Sequence, residues 1–278
     1  MRIRKPLYFL NKTWINAIFW ILMVVIIYPL VWMVMNSLKT STELFVNSFA
    51  LPQKLLFQNY VDAWNTGFAT FFFNSILVTV VSVGLTVLLS AFCAYALARL
   101  DVRFKNTFLY LIIGGLLLSP QSALISLYKI FDAINIYNTY FAMIVPYIAF
   151  RIPFAVFLMY GYFKDFPGDL EDAARIDGCS TLKIFMKIVM PISKPIIAAT
   201  AIVSAIFTWN EFIFALVFIE SENFITIPVG LSRFRDALST NWTGMMAGIV
   251  IASLPMIIAF LLMSKSFIRG LTAGSVKG

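Results

Sequence analysis

Long apolar runs separated by short polar stretches set the pattern of this chain. The runs cover residues 14–35, 71–98, 108–129, 140–163, 195–219 and 245–267. About 20 apolar residues in a helix cross the hydrocarbon core of a bilayer, so each run reads as a membrane-spanning helix. The expected fold class is therefore an all-α membrane protein with six transmembrane helices. The run at 71–98 is longer than a bilayer needs, which predicts tilt or protrusion. Ser119-Pro120-Gln121 interrupts the third run, and a proline there predicts a kink. The fourth run contains Pro146, Pro153 and one charge, Arg151; the fifth contains Trp209-Asn210-Glu211.

Arg2, Arg4, Lys5 and Lys12 precede the first run, so a secretory signal is its rival reading. The run is too long for a signal core and no small-x-small cleavage site follows it, which favours an uncleaved first helix. Trp14 and Trp32 suit its two interfaces. Residues 36–69 are polar by comparison and predict an external loop with a short interfacial helix near 59–65. No repeat or linker divides the chain. Residues 1–278 read as a single transmembrane domain, with the first helix a peripheral addition to a five-helix core.

Basic residues orient these spans. With both termini inside, the inner segments hold Arg2, Arg4, Lys5, Lys12, Arg99, Arg103, Lys105, Lys164, Arg175, Lys183, Lys187, Lys194, Lys265, Arg269 and Lys277. The outer segments hold Lys39, Lys54, Lys129, Arg233 and Arg235, a ratio of roughly three to one. The loop at 164–194 then faces the cytoplasm.

Composition narrows the function. The chain is 61% hydrophobic and 12% charged, with a mean hydropathy of +0.89; a soluble domain carries about 25% charged residues. Its net charge of +8 is scattered over loops, which fits topology better than nucleic-acid binding. There is no histidine, which removes His-ligated metals and His general bases. Cys93 and Cys179 have no paired spacing, so neither a metal site nor a disulfide framework is supported. No cofactor is expected. No lysine follows a glycine, so the chain has no Walker A phosphate loop.

The polar island Pro167–Pro191 predicts two short helices around a glycine. Asp169 is placed to cap the first, with Glu171 and Asp172 complementing its positive end. Gly178 suits the left-handed residue that ends it. Ser180 is placed to cap the second, which Pro191 stops. Leu182, Phe185 and Val189 share one face of that second helix; Lys183 and Lys187 share another. An amphipathic connector resting on lipid headgroups is the plain alternative.

This island resembles the "EAA loop" of permease subunits of ABC importers, E-A-A-x3-G-x9-I-x-L-P. The spacing falls on Asp172-Ala173-Ala174, Gly178, Ile188, Met190 and Pro191. Asp172 stands where the pattern has Glu, with Glu171 one residue earlier, and Met190 stands where it has Leu. Thr208-Trp209-Asn210-Glu211-Phe212, Ile227-Pro228-Val229-Gly230-Leu231 and the tail from Arg269 to Gly278 are similar to the carbohydrate-uptake subfamily, closest to the maltose-type second permease. The resemblance implies the type I ABC importer permease fold with a cytoplasmic coupling helix. It assigns Glu171, Asp172, Ala173, Ala174, Asp177, Gly178 and Pro191 to ATPase coupling. It also implies a second permease, two cytoplasmic ATPase subunits, an extracytoplasmic solute-binding protein and a sugar substrate, in a bacterial or archaeal cell membrane.

Arg151 and Glu211 are the charges expected deep in the membrane. At 1.5 Å per residue they lie roughly 17 and 24 Å from opposite faces, so they reach similar depth. Each should face the bundle interior, and pairing is plausible. They line or gate the translocation path, or form a structural ion pair, or Glu211 lies near the external interface. Trp209 and Asn210 either stack on and hydrogen-bond a sugar or serve as interface anchor and helix glue. Gln121 is a further lining candidate. Two other function classes compete. An ion-coupled secondary transporter calls for several intramembrane acids and often repeated halves, and Glu211 is the one strong acid here. A membrane enzyme needs a nucleophile–base or metal constellation, which the absent histidines leave little to build. An ABC permease for a solute other than a sugar is the closest alternative.

Overall fold

A computed structural model describes residues 5–234 and 241–273, with side chains over 14–232 and 241–265. The expected features on Arg235 and Asp236, and at the end of the tail from Gly274 to Gly278, lie outside the described residues, as do the Arg233 and Arg269 side chains. The described residues are helical, with no strand among them. Four helices are long and apolar enough to cross a membrane, or up to six if each of two bent pairs counts as one span. The chain divides into two compact units.

The first unit comprises residues 1–68 and 233–252. Its α1, Lys5–Ser37, exposes every side chain from Trp14 to Val31. A helix apolar on all sides has no polar stripe to turn toward water, so lipid or a partner must cover it. Thr40 caps α2, Ser41–Val46, in a reciprocal capping box with Glu43. Helix α3, Gln58–Ala63, provides the expected short element near 59–65. Asn59 ties it down by donating to the carbonyls of Ser37 at 2.8 Å and Lys39 at 2.9 Å.

The second unit comprises residues 69–232 and 253–278. Helices α4, Ala69–Arg99, and α7, Tyr140–Lys164, pack along each other most extensively. Small and hydroxylated residues on α4, including Ser75, Ser82, Ser90, Ala91 and Ala94, are buried and permit close approach. The third apolar run is not a kinked span. Helix α5, Lys105–Gly114, gives way at Leu118-Ser119 and resumes as α6, Leu124–Ala133, after a bend of 91°. Pro120 removes one N–H, and the turns on either side are tight 3-10 helix; together they turn a kink into a corner.

Helices α8, Gly168–Ile176, and α9, Thr181–Ile184, form the polar island. The run from α9 passes through a wide turn at Phe185–Val189 and α10, Met190–Ile192. It then bends by 76° into α11, Lys194–Trp209. Pro191 therefore does not stop the second helix; the bend falls after it, at Ser193. The fifth run also breaks, at Asn210–Phe212, before α12, Ile213–Phe218. Helix α13, Ile227–Phe234, occupies the loop before α14, Trp242–Ala273. A β-carbon on Gly230 would run into the Phe71 ring, a packing reason for glycine within Ile227–Leu231.

Candidate functional site

Two sites emerge in the second unit, a docked polar loop and a cavity among the broken helices.

The polar loop is held from beneath. Phe185 and Val189 are buried with Tyr95, Phe163 and Phe166 in one apolar cluster that Ala174 and Ile184 join. Phe185 sits 4.8 Å from Tyr95, centroid to centroid. Leu182 departs from the expected face: it is 61% exposed, and Ile184 takes the buried position. Glu171 is 1% exposed. Its Oε1 lies 2.8 Å from Arg99 Nε, its Oε2 accepts from the Tyr95 hydroxyl at 3.1 Å, and Arg175 flanks it at 3.8 Å. A buried carboxylate is tolerated when paired and hydrogen-bonded. Glu171 is thus the anchor of α8 to the end of α4 and is not open to a partner. Asp172, by contrast, is exposed, within 3.3 Å of Arg175.

The two alanines also differ. Ala173 is exposed while Ala174 is buried at 6%, so only the first belongs to an outward surface. Leu170, Ala173 and Ile176 recur at three-residue spacing on α8, and Leu170 and Ile176 are 44% and 88% exposed. Asp169 is not the cap; Pro167 holds that position without a side-chain bond, and Asp169 falls in the first turn. Gly178 has φ +75°, as expected. The Cys179 N–H donates to the Ala174 carbonyl and the Gly178 N–H to that of Arg175, both at 3.0 Å. This is a Schellman ending, in which the left-handed residue lets two orphan carbonyls be satisfied. Ser180 caps α9 through the Lys183 N–H. Asp177 is exposed beside this turn.

The cavity, about 590 Å³, is bounded by Pro120 and Gln121, by Pro146, Tyr147, Phe150 and Arg151, and by Ile206–Thr208 and Asn210–Phe214. Of the residues expected on a path, Gln121, Arg151, Asn210 and Glu211 line it. Trp209 does not; it is 7% exposed and meets the Phe72 ring edge-on at 6.3 Å. Asn210 turns back to the Ile206 carbonyl at 2.7 Å, which closes the end of α11.

Glu211 belongs to the break. Its carboxylate accepts from the N–H groups of Ile213, Phe214 and Ala215 at 2.9–3.4 Å, and from the Tyr147 hydroxyl at 2.7 Å. An acid at a helix start satisfies orphan donors and complements the local dipole. Glu211 therefore does not sit along one continuous helix, and the depth reckoned from a constant rise does not carry across the break. Nor does it pair directly with Arg151. Among the described residues the ion pairs are Arg99–Glu171, Arg175–Glu171 and Arg175–Asp172. Arg151 instead lies over the Phe207 ring, 4.0 Å from its centroid.

The sequence reading missed Tyr147, Phe207 and the Arg99–Glu171 bond. Arg99 reads only as part of a basic turn; a hydrophobic register for α8 that puts Glu171 and Ala174 on one face was the available signal.

The family described as "Binding-protein-dependent transport system inner membrane component" matches residues 1–272. A probable ABC transporter permease protein of Bacillus subtilis is 45% identical over 98% of this chain and 90% of its own length. A trehalose/maltose transport system permease protein of Thermococcus litoralis is 34% identical, covering 93% and 94%. Among solved structures, a chain of a bacterial ABC transporter involved in the import of the acidic polysaccharide alginate superposes with a TM-score of 0.82. It is 24% identical, over 96% of this chain and 100% of that one, a likeness of fold.

Proposed function

We infer the role of this chain from its family: it belongs to the binding-protein-dependent transport system inner membrane components. It is a multi-pass permease subunit of an ABC importer. The solute we propose is a sugar or oligosaccharide, a reading supported by the trehalose/maltose permease among its relatives. The proposal extends to half of a translocation path, completed by a second, related permease. Two cytoplasmic ATPase subunits supply the energy and an extracytoplasmic binding protein delivers the sugar. The chain itself then performs no hydrolysis, in keeping with a sequence that has no Walker A loop.

The observation that carries the coupling role is the loop at 164–194. It turns Glu171, Phe185 and Val189 inward, onto the ends of α4 and α7, and leaves Leu170, Ala173 and Ile176 outward. A loop resting on lipid headgroups has no need of a fixed Schellman turn and a buried ion pair to hold its geometry. A partner that pushes on α8 moves α4 through Glu171 and Arg99, and α11 through α9 and α10. The charge bias supports cytoplasmic termini, with this loop on the same side. One transmembrane domain over 1–278 fits this role.

Co-expression tests the assembly. This chain, tagged, should recover a second permease and two ATPase copies from the membrane. Recovery as a homodimer that takes up sugar with no other protein would end the reading.

A further inference from the structure

Arg151 is a cation with no direct anion partner among the described residues: the Glu211 carboxylate favours its charge through space but does not reach ion-pair contact. It is partly buried in α7, and among the described residues it has neither a hydrogen-bond acceptor nor a carboxylate within ion-pair distance. Its one close contact, the Phe207 ring at 4.0 Å, stabilises the charge but accepts none of its five N–H bonds. Three backbone N–H groups and Tyr147 occupy both oxygens of Glu211, so its charge is felt by Arg151 through space but it offers the guanidinium no bidentate partner. A charge at this depth in membrane-spanning helices is costly unless it meets a counter-charge or water. The guanidinium faces a cavity of about 590 Å³ whose walls include Phe150, Phe207 and Phe212, a volume in the range of small-molecule sites.

We infer that Arg151 selects a saccharide bearing a carboxylate. The planar guanidinium holds a carboxylate through two parallel N–H bonds, a geometry an ammonium does not reproduce. The phenylalanine rings offer flat apolar surface to the C–H face of a sugar ring. Neutral sugars fit the same walls but leave the cation unpaired, so the cavity discriminates by charge. This inference rests on the sugar-import reading above and deepens it to a substrate class.

Binding to the assembled importer in detergent, without its solute-binding protein, isolates the contribution of the permease pair. The probes are trigalacturonate and its trimethyl ester, equal in ring number, the first anionic and the second neutral. The wild-type complex should bind the acid at least tenfold tighter than the ester. Arg151→Gln should bring that ratio to near one, and Arg151→Lys should recover only part of it. Equal binding of acid and ester by the wild type would overturn the charge assignment and leave sugar import standing. A ratio that persists in Arg151→Gln would overturn it as well. So would equal loss of both ligands together with poor recovery of the second permease, which would make Arg151 a structural cation paired across the subunit boundary. A complex that binds neither saccharide but takes up a different class of solute would overturn both readings.

Discussion

Glu171 Oε1 lies 2.8 Å from Arg99 Nε, joining residues 72 apart in sequence across the junction of α8 and α4. Glu171 is 2% exposed at its side chain and Arg99 is 20% exposed. Breaking such a pair leaves a buried charge, at a cost of about 3 kcal/mol. Arg99→Met and Glu171→Gln should each lower the stability of the complex in a denaturant titration by about that amount. The double variant should be less harmful than the sum by about 1–3 kcal/mol. Strict additivity would mean that the bond does not hold α8 in place.

The two alanines of the loop should separate. Arginine at the exposed Ala173 should leave the subunit folded and inserted but reduce ATPase recovery and transport. Arginine at the buried Ala174 should lower the amount of folded subunit itself, because it enters the apolar cluster around Tyr95 and Phe163. Comparing membrane yield with ATPase recovery reads both. Equal effects on yield would remove the distinction between outward and inward faces.

Gly178 has φ +75° and open space where a β-carbon would stand. Its substitution cost is conformational, about 1 kcal/mol for a β-carbon and more for a branched one. Gly178→Val should impair coupling, while Gly178→Asn, which tolerates the left-handed region, should retain most transport. Normal transport in Gly178→Val would show that the turn geometry is dispensable.

Much of this loop was legible in the sequence because its signals are local. Gly178 and Ser180 specify a turn and a cap by backbone chemistry alone. Spans such as 71–98 and 140–163 follow from composition. Pro120 marked the interruption near Ser119 but not its 91° angle, and the break at Asn210–Phe212 was hidden, since hydropathy averages over a corner that leaves the flanking residues apolar. The partners of Glu171 and Glu211 were hidden for another reason. Each depends on which helices meet, and an acid reads the same in sequence whether it faces a subunit, an arginine or a row of backbone N–H groups.

Glu211 should behave as a structural acid. Glu211→Gln places an amide donor against backbone donors, with an expected loss of about 1–3 kcal/mol. Arg151→Gln should not share this penalty, and the double variant should show far less coupling than Arg99 with Glu171. Coupling of similar size in the two pairs would instead mean that Arg151 and Glu211 act as one unit.

Tyr137 donates to Glu220 at 3.0 Å, and burial, followed by that bond and the nearby carboxylate, pushes its hydroxyl up to about 12. A raised value means that its contribution to stability is complete below the unfolded value of about 10 and lost as pH rises through about 12. Thermal stability of wild type minus Tyr137→Phe should be flat to about pH 10 and shrink above it. A difference that is constant through pH 12 would contradict the bond.

The most direct measurement is solute uptake into proteoliposomes holding this chain with a second permease and two ATPase copies. ATP enclosed on the ATPase side and the binding protein on the other should both be required, and Ala173→Arg should abolish uptake while the subunit remains inserted. Uptake by this chain alone, driven by an ion gradient and indifferent to ATP and to Ala173→Arg, would contradict its assignment as an ABC importer permease.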